Sequence, residues 1–271
     1  MPGADHGPSP ARPVAAYSIT PLGAMMKNAA GLDAAEINRG FYDALWADTY
    51  LIQPERFNTW PLVRELNAVG PRRLEIGPGL RPRLPIAGTY CIEISRAALS
   101  KLVQHDGFAA QALADALPFQ DAVFDLVMAM DIIEHVNDDE AVFRELARVM
   151  RPGGTLVISS PLHPDSWTTF DDVVGHLRRY TPQELLGQIA RHGLTLERSA
   201  IYGMQPRSRM LSRMGAWWLT RRKEQAMRWY NRVFMPIGLL FEKRLRLVPG
   251  MIDVTHADEV LLVCRKNRAF G

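Results

Sequence analysis

The sequence predicts an α/β fold: a seven-stranded, mostly parallel sheet with helices on both faces. Two observations lead to this prediction. Between residues 72 and 202, short and almost continuously apolar segments alternate with helical patterns, and strands that are apolar on both faces are typical of parallel sheets covered by helices. The hydrophobic content of 47% and charged content of 23% are those of a globular protein and exclude a wholly disordered chain.

Seven segments have the composition of buried strands. They are Arg73–Ile76, Tyr90–Ile94, Ala109–Ala114, Phe124–Met130, Thr155–Ser160, Leu196–Tyr202 and Glu259–Cys264. Each is short and apolar and is bounded by polar or turn-forming residues, as expected for strands covered on both faces. The last segment follows a long gap, which predicts a helical insertion before the final strand.

Three helices are predicted between these strands, over Ser95–Gln104, Asp138–Met150 and Pro182–His192. Ser95 is a suitable N-cap for the first helix, and Thr181 followed by proline gives the third a cap with proline at its first position. The sequence Arg-Pro-Gly-Gly from Arg151 ends the second helix. Between the first two strands, Pro82 and Pro85 leave room for little more than one helical turn, so a helix there is expected to be truncated.

Composition divides the chain into five parts. We expect a disordered tail over residues 1–16, an N-terminal helical cap over 17–70, a core over 71–205, a helical insertion or lid over 206–250, and the final strand within 251–271. The tail lacks the apolar stretch of a secretory signal. The longest apolar run, Val233–Phe241, is far shorter than the roughly 20 residues that span a bilayer. These features predict a cytoplasmic protein, with peripheral contact at the inner membrane surface left open.

The strongest motif is the stretch Arg-Leu-Glu-Ile-Gly-Pro-Gly-Leu that begins at Arg73. Its glycines allow a sharp turn and close approach to a ligand at the carboxyl edge of the sheet, where open α/β folds bind ligands. Acidic residues follow the next two strands, Glu93 and Asp115, and the fourth strand leads into Asp-Ile-Ile-Glu-His-Val from Asp131. The dinucleotide-binding pattern Gly-x-Gly-x-x-Gly would need glycine at the position of Pro82.

These ordered motifs resemble the class I S-adenosylmethionine-dependent methyltransferases, in their small-molecule branch, whose sheet is Rossmann-like. The resemblance covers residues 74–202 and the final strand, and it implies S-adenosyl-L-methionine as the cofactor. It assigns the methionine end to Glu75, Gly77, Pro78 and Gly79, the ribose to Glu93 and Ile94, the adenine to Asp115, Ala116 and Leu117, and the cofactor floor to Met130. The third glycine that is frequent in this class is Arg81 here; Arg81 or Arg83 either supplies positive charge to the cofactor or is solvated.

Three histidines follow strand ends and are candidates for a general base: His135, His163 and His176. Methyl transfer from a sulfonium is an in-line displacement that needs positioning and, for an oxygen or nitrogen acceptor, a base. The resemblance favours His135, whose position serves as the base in some relatives and only caps and packs the turn in others. The cysteines lie in apolar strands far apart and predict neither a disulfide framework nor a metal site.

Five residues are predicted to contact the substrate: Tyr42, Trp46, Arg179, Tyr180 and Trp217. The aromatic side chains come from the N-terminal cap and the insertion, which we expect to enclose a lipophilic or aromatic metabolite. Arg179 presents a rigid donor fork suited to an anionic or phenolic substrate. Salt bridges from this loop to Asp171 or Asp172 are the alternative.

The insertion over residues 206–247 contains eleven basic and two acidic residues, a net charge of +9, which leaves −6 for the remainder of the chain. Apolar residues from Ala226 to Phe241 follow a helical spacing, with a bend expected at Pro236. A basic amphipathic helix of this kind lies on anionic membranes or packs as a lid on the core. The motif Asn-Pro-Pro-Tyr of amino-directed nucleic-acid methyltransferases is absent, so no strong nucleic-acid signal accompanies the charge.

The sequence therefore predicts a methyltransferase that acts on an oxygen, nitrogen or carbon of a small, lipophilic or aromatic metabolite. Two alternatives stay open at this point. One is a lipid or quinone methyltransferase that docks on a membrane through the insertion. The other is a regulatory protein that binds S-adenosylmethionine without turnover.

Overall fold

The computed structural model describes residues 34–47, 49–68, 70–203, 215, 217, 218 and 221–268. The predicted tail, residues 17–33, 48 and 69 of the predicted N-terminal cap, residues 204 and 205 of the predicted core and residues 206–214, 216, 219 and 220 of the insertion lie outside the described residues. The division of the chain into domains stays a prediction.

A single sheet of eight strands forms the centre of the described chain, in the order β3-β2-β1-β4-β5-β8-β6-β7. The strands are β1 Arg73–Ile76, β2 Thr89–Glu93, β3 Phe108–Gln111, β4 Phe124–Met130, β5 Met150–Pro161, β6 Leu194–Tyr202, β7 Val248–Pro249 and β8 Glu259–Lys266. Strands β1 to β5 are parallel, and β8 runs antiparallel between β5 and β6. The predicted fold class is confirmed. The additional strand, β7, has two residues at the sheet edge, too few to show any periodicity in the sequence.

The α-helices are α1 Ala34–Ala47, α2 Trp60–Asn67, α3 Arg96–Val103, α4 Asp139–Val149, α5 Thr169–Val174, α6 Pro182–Arg191, α7 Lys223–Trp229 and α8 Met235–Leu240. The Ser95 side chain caps α3 by accepting from the Ala98 N–H. Thr181 and Glu184 form a capping box at the start of α6. Residues 77–88 form a loop without a helix between β1 and β2, which agrees with the effect expected of the two prolines.

The Arg-Pro-Gly-Gly segment differs from its prediction. Helix α4 ends at Val149, and β5 begins at Met150, so this segment belongs to the strand instead of a turn. Gly153 has φ of +78°, a conformation that glycine adopts without strain. It lies between the pairing of Phe124 with Met150 and that of Leu126 with Thr155, where the register of the two strands shifts.

Helices cover both faces of the sheet because residues of alternate parity in each strand point to opposite faces. On one face Val127 and Ile158 pack in a cluster with side chains of α4 and α6. On the other, Met128 and Val157 pack with α2. Each large apolar side chain buried in this way contributes about 1.5–3 kcal/mol, so the core holds the strand ends of β1 to β4 rigidly in place.

Residues 223–240 of the insertion form a continuous helix in which a π-helical turn, Tyr230–Phe234, joins α7 to α8. Pro236 stands in the first turn of α8. Proline cannot donate the intrahelical hydrogen bond and its ring crowds the preceding turn, which accounts for wider winding directly before it. The irregularity predicted at Pro236 is present, as a π-turn that precedes the proline.

Candidate active site

The carboxyl ends of β1 to β4 meet at one edge of the sheet and form a crevice. Ile76 pairs with Ile92 on one side and with Ala129 on the other. The residues directly after these positions therefore share this edge. They include the loop Gly77 to Gly79, the acid Glu93 with Ile94, and Met130. Glu93 pairs with Gln111 of β3, and the segment from Asp115 to Leu117 follows that strand. The topology thus brings all residues predicted to bind the cofactor to one edge.

Two glycines of the β1 loop have backbone conformations that other residues rarely adopt. Gly77 has φ of +62° and Gly79 has φ of +54°. A Cβ atom on Gly77 would lie 2.3 Å from Cδ1 of Ile132, and one on Gly79 would lie 2.4 Å from the ring of Trp46. Glycine is therefore required at both positions by conformation and by space.

The two acids beside this loop, Glu93 and Glu75, accept hydrogen bonds from different backbone segments. The Glu93 carboxylate accepts from the Gly79 N–H at 2.8 Å and from the Ser95 N–H at 2.9 Å. Each carboxylate oxygen has a second lone pair, so Glu93 keeps the capacity to accept ribose hydroxyls and fits the cofactor. Glu75 accepts from the Arg83 N–H at 2.7 Å and the Leu84 N–H at 3.0 Å. Burial raises the pKa of Glu75 to about 7, although these two N–H donors act in the opposite direction. Glu75 thus holds the loop between β1 and β2 in place through two backbone N–H groups of that loop.

The turn after β3 is fixed by backbone hydrogen bonds. The Leu117 N–H donates to the Glu145 carboxylate at 2.7 Å, and Arg148 donates to the same carboxylate from the next turn of α4 at 2.6 Å. The Ala116 N–H donates to the Leu113 carbonyl at 3.3 Å. The segment predicted to bind adenine is therefore held rigidly by α4, with Asp115 half-buried.

Helix α1 lies over the crevice and provides two aromatic side chains. The Tyr42 hydroxyl lies 3.4 Å from Nε2 of His135, and the buried ring of Trp46 lies against Gly79. Burial and then the charges of Glu134, Glu93 and Asp131 raise the pKa of Tyr42 above its ordinary value. The phenol is therefore neutral and lies close to acids of both the cofactor loops and the β4 turn.

The two arginines of the β1 loop pack against aromatic rings. The Cζ atom of Arg81 lies 5.1 Å from the ring centroid of Trp46 and 5.0 Å from that of Tyr230. Its guanidinium also donates to Oδ1 of Asn231 at 2.7 Å. The Cζ atom of Arg83 lies 3.6 Å from the centroid of Phe57. The hypothesis that both arginines are solvated is wrong, since cation–π contacts hold both.

The structure brings two of the three candidate histidines together. His135 and His176 have ring centroids 4.7 Å apart. Burial and the neighbouring His176 lower the pKa of His135 to about 4, so its imidazole is neutral near pH 7. Nε2 of His163 lies instead 2.8 Å from the Val254 carbonyl. His163 therefore anchors the segment before β8.

Arg179 and Tyr180, both predicted to bind substrate, are buried and make hydrogen bonds within the protein. Arg179 donates to both oxygens of Asp171, at 2.8 and 3.0 Å, and to the Leu162 carbonyl. The Tyr180 hydroxyl donates to Asp139 at 2.6 Å. The structure therefore contains the alternative to substrate binding by Arg179, a salt bridge to Asp171. Substrate contact by either residue stays a prediction that these bonds do not favour.

Trp217, the remaining residue predicted to contact substrate, has a largely exposed ring 5.6 Å from Cζ of Arg221. Its substrate contact likewise stays a prediction. Sequence reasoning gave no site role to Glu134, which is fully buried beside the histidines. Burial and the charge of Asp131 raise its pKa well above the ordinary value. In the sequence, the one feature that points to Glu134 is its place directly before His135. Whether its side chain points inward depends on the 3₁₀ turn Ile133–His135, which the sequence did not predict.

The strand order, the antiparallel last strand and the glycine loop with acids at the following strand ends agree with the arrangement that the resemblance to class I S-adenosylmethionine-dependent methyltransferases implies. Residues 74–158 match the family model described as a methyltransferase domain. The predicted family and the predicted cofactor, S-adenosyl-L-methionine as methyl donor, are confirmed.

Curated relatives match parts of this chain, and a solved structure shares its fold. The chain is 34% identical over 95 residues to the uncharacterized protein YafE of Escherichia coli, covering 32% of this chain and 46% of that protein. It is 38% identical over 86 residues to chloroplastic tocopherol O-methyltransferase of Arabidopsis thaliana, covering 28% of this chain and 25% of that enzyme. The alignments span less than half the length of these curated relatives. The crystal structure of the [4+2]-cyclase SpnF shares the fold with a TM-score of 0.57 at 18% identity, covering 87% of this chain and 97% of that one.

Proposed function

We propose that this protein transfers a methyl group from S-adenosylmethionine to an oxygen, nitrogen or carbon atom of a small, lipophilic or aromatic metabolite. The observation that carries the proposal is the glycine loop with two left-handed glycines beside Glu93, at the carboxyl edge of a methyltransferase domain. A relative named for O-methylation of tocopherol supports a small lipophilic acceptor.

The roof of the crevice supports the lipophilic and aromatic character of the acceptor. Tyr42 and Trp46 are stacked, with ring centroids 6.5 Å apart. Tyr42 also meets His135 edge to face at 6.0 Å. Flat aromatic faces of this kind bury apolar rings and orient them by offset or edge contacts. An acceptor beneath this roof would lie between the glycine loop and the neutral imidazole of His135.

Calorimetry of S-adenosylmethionine binding, followed by a methyl-transfer assay with a panel of phenols, amines and quinols, tests the proposal. We expect micromolar or tighter cofactor binding and transfer to at least one lipophilic acceptor. Gly77→Val should weaken cofactor binding by about 100-fold or more, since a side chain there is strained and meets Ile132. Gly187→Ala is the matched control, because a Cβ atom at that helical position has no heavy atom within 4 Å.

The outcomes separate the candidate functions. Absence of cofactor binding by the wild-type protein would overturn the proposal. Tight binding without transfer to any acceptor would favour the regulatory alternative, and the cyclase that shares this fold shows why turnover must be measured and not only binding.

His135 is the first candidate for the base. His135→Ala should lower the rate with an oxygen or nitrogen acceptor by about 100-fold or more if it takes the proton. His163→Ala is the control, because its ring is engaged with the Val254 carbonyl away from His135. An unchanged rate in the His135 variant would reduce its role to packing.

A second candidate function, docking on an anionic membrane, is favoured by the exposure of the insertion. Five side chains of its predicted stripe face solvent: Trp229 at 47%, Tyr230 at 37%, Ile237 at 48%, Leu240 at 70% and Phe241 at 80%. Three residues of the same helix are buried: Asn231, Met235 and Ala226, the last of which belongs to the stripe. A lid would cover these apolar side chains. An exposed apolar surface next to Arg221, Arg222 and Arg228 has the composition of helices that lie in a membrane interface. No helix of the described chain is long and apolar enough to cross a membrane.

Co-sedimentation with vesicles tests this second candidate. We expect binding to vesicles that contain anionic lipid, and loss of at least tenfold in affinity when Arg221, Arg222 and Arg228 are changed to glutamine together, since each basic residue near such a surface contributes about 1 kcal/mol. Replacement of the equally exposed Arg96, Arg144 and Arg191 removes the same charge elsewhere and is the control. Equal loss in both triple variants, or no sedimentation of the wild type, would contradict docking through the insertion.

A further inference from the structure

We propose that Glu134, His135 and His176 bind a divalent transition-metal ion at the edge of the crevice. One ligand atom of each residue lies within 4.8 Å of the others. Ligand atoms at about 2.0–2.2 Å around one tetrahedral zinc ion lie about 3.4 Å apart. The cluster would therefore need to contract by up to about 1.4 Å, which rotations of the three side chains provide.

Glu134 supplies an independent observation in favour of a cation. Its side chain is fully buried, and within the described part of the chain neither carboxylate oxygen has a hydrogen-bond partner. Buried polar atoms are nearly always paired, and an unpaired buried carboxylate is costly. A metal ion bound between Glu134 and the two imidazoles would satisfy this group.

The two histidines are oriented as metal-binding histidines are. Nδ1 of His176 lies 2.7 Å from Oδ1 of Asp171, and Nδ1 of His135 lies 3.3 Å from the Gly175 carbonyl. Metal-binding histidines usually donate one ring N–H to a carboxylate or carbonyl, which fixes the ring and directs the other nitrogen to the metal. Here the ion would be bound through Nε2 of both rings. The contact of His135 Nε2 with the Tyr42 hydroxyl is 3.4 Å long, and coordination would replace it.

The elements around the cluster hold it in place. Glu134 and His135 belong to the 3₁₀ turn after β4, and His176 follows Gly175, which ends α5 at φ of +80°. The Leu177 N–H donates to the Glu134 carbonyl at 2.7 Å, which ties the two loops together. Because the ligands come from segments about 40 residues apart, the sequence predicted no metal site.

The ligand chemistry selects the class of ion. Two imidazoles and one carboxylate suit zinc and other first-row transition metals, whereas magnesium and calcium prefer oxygen ligands. Three protein ligands leave a coordination position for water or an acceptor oxygen, whose pKa the ion would lower. This last role rests on the proposed methyl transfer, and in the metal-bound protein it would replace proton transfer to His135, whose basic nitrogen the ion would occupy. The metal site itself does not.

The experiment is a titration of tag-free, metal-stripped protein with Zn²⁺ by calorimetry, in the absence of cofactor and acceptor, with Co²⁺ as a spectroscopic probe. We expect one Zn²⁺ per chain and a visible absorption band from bound Co²⁺. Glu134→Gln and His176→Gln should each weaken Zn²⁺ binding by about 100-fold or more. Asp171→Asn, which acts through His176, should weaken it by about 10–100-fold. Because Glu134→Gln replaces a buried acid by its neutral isostere, we expect the variant to fold. Thermal unfolding of the metal-free variant checks this.

His105→Gln is the control, because His105 is exposed and lies outside the cluster. Failure of the wild type to bind Zn²⁺, or equal affinity in the wild type, Glu134→Gln and His176→Gln, would overturn the site. The two proposals fail separately: zinc binding without methyl transfer would leave the site standing, and methyl transfer by a protein that does not bind Zn²⁺ would leave only the proposed function standing.

Discussion

The crevice and the insertion depart from the usual distribution of residues in opposite directions. Around the crevice the chain buries charged groups, including Glu75, Glu134 and the Asp171–Arg179 pair. Along α7 and α8 it exposes large apolar ones, most of all Leu240 and Phe241. Buried polar groups and exposed apolar patches are the informative exceptions in a folded protein. Burial of charged groups costs stability around the crevice. Along α7 and α8, apolar surface stays exposed to solvent.

Breaking the Asp171–Arg179 pair should have the largest effect on stability. Arg179→Ala leaves the Asp171 carboxylate buried with much of its positive compensation removed, and we expect a loss of about 3–5 kcal/mol in the free energy of unfolding. Urea denaturation measures it. Arg178→Ala is the control, because its ion pair with Asp139 is partly exposed, and such pairs contribute about 0–1 kcal/mol. Equal losses in the two variants would show that burial of this pair has no special weight.

The pH dependence of stability sharpens the contrast further. Burial raises the pKa of Glu75 in the folded state to about 7, above its ordinary value of 4.5. Two groups face it: Arg83, which lowers this pKa, and Cys91, whose own pKa is raised. A group with a raised folded pKa gives its full stabilisation below the unfolded pKa and loses it as pH rises through the folded pKa. Glu75 should therefore reduce stability between pH 4.5 and 7 by on the order of 3 kcal/mol.

Glu75→Gln removes the titration but keeps only one of the two acceptor oxygens. The lost acceptor lowers the stability by the same amount at every pH, so the change of stability with pH isolates the contribution of titration. The free energy of unfolding of the variant, measured at pH 5 and pH 8, should fall less than that of the wild type by a similar amount. Parallel pH profiles for the two proteins would show that Glu75 titrates in the folded state as it does in the unfolded chain.

The smallest effect is expected at the exposed apolar surface. Leu240→Ser and Phe241→Ser should each change the free energy of unfolding by about 0.5 kcal/mol or less, because both side chains already lie in solvent. Met235→Ala, in the same helix but buried, should cost about 2–5 kcal/mol. A large loss at Leu240 or Phe241 would mean that this surface packs against the protein after all.

Local signals predicted the fold class and several element bounds. The bounds of β1 and β4 coincide with the predicted ones, and the caps of Ser95 and Thr181 form as expected. These features depend on residues only a few positions apart, so one sequence contains the information. The convergence of the glycine loop and Glu93 followed from strand order, which the alternating pattern implied.

What the sequence could not predict depends on contacts between distant segments. The meeting of Glu134 and His135 with His176 needs the packing of the β4 turn against the loop after α5. The apolar stripe of the insertion was readable, but its periodicity does not say which surface covers it. In the structure Asn231 turns toward α1, donating to the Leu45 carbonyl at 2.9 Å, and the stripe faces outward.

The contact of Arg81 with Trp46, Tyr230 and Asn231 has a thermodynamic consequence. Arg81 belongs to the cofactor loop, and two of its three partners belong to the insertion. A ligand bound at the loop and a partner bound at the insertion would both meet this one contact. If the first changes the affinity for the second by some factor, the second changes the affinity for the first by the same factor.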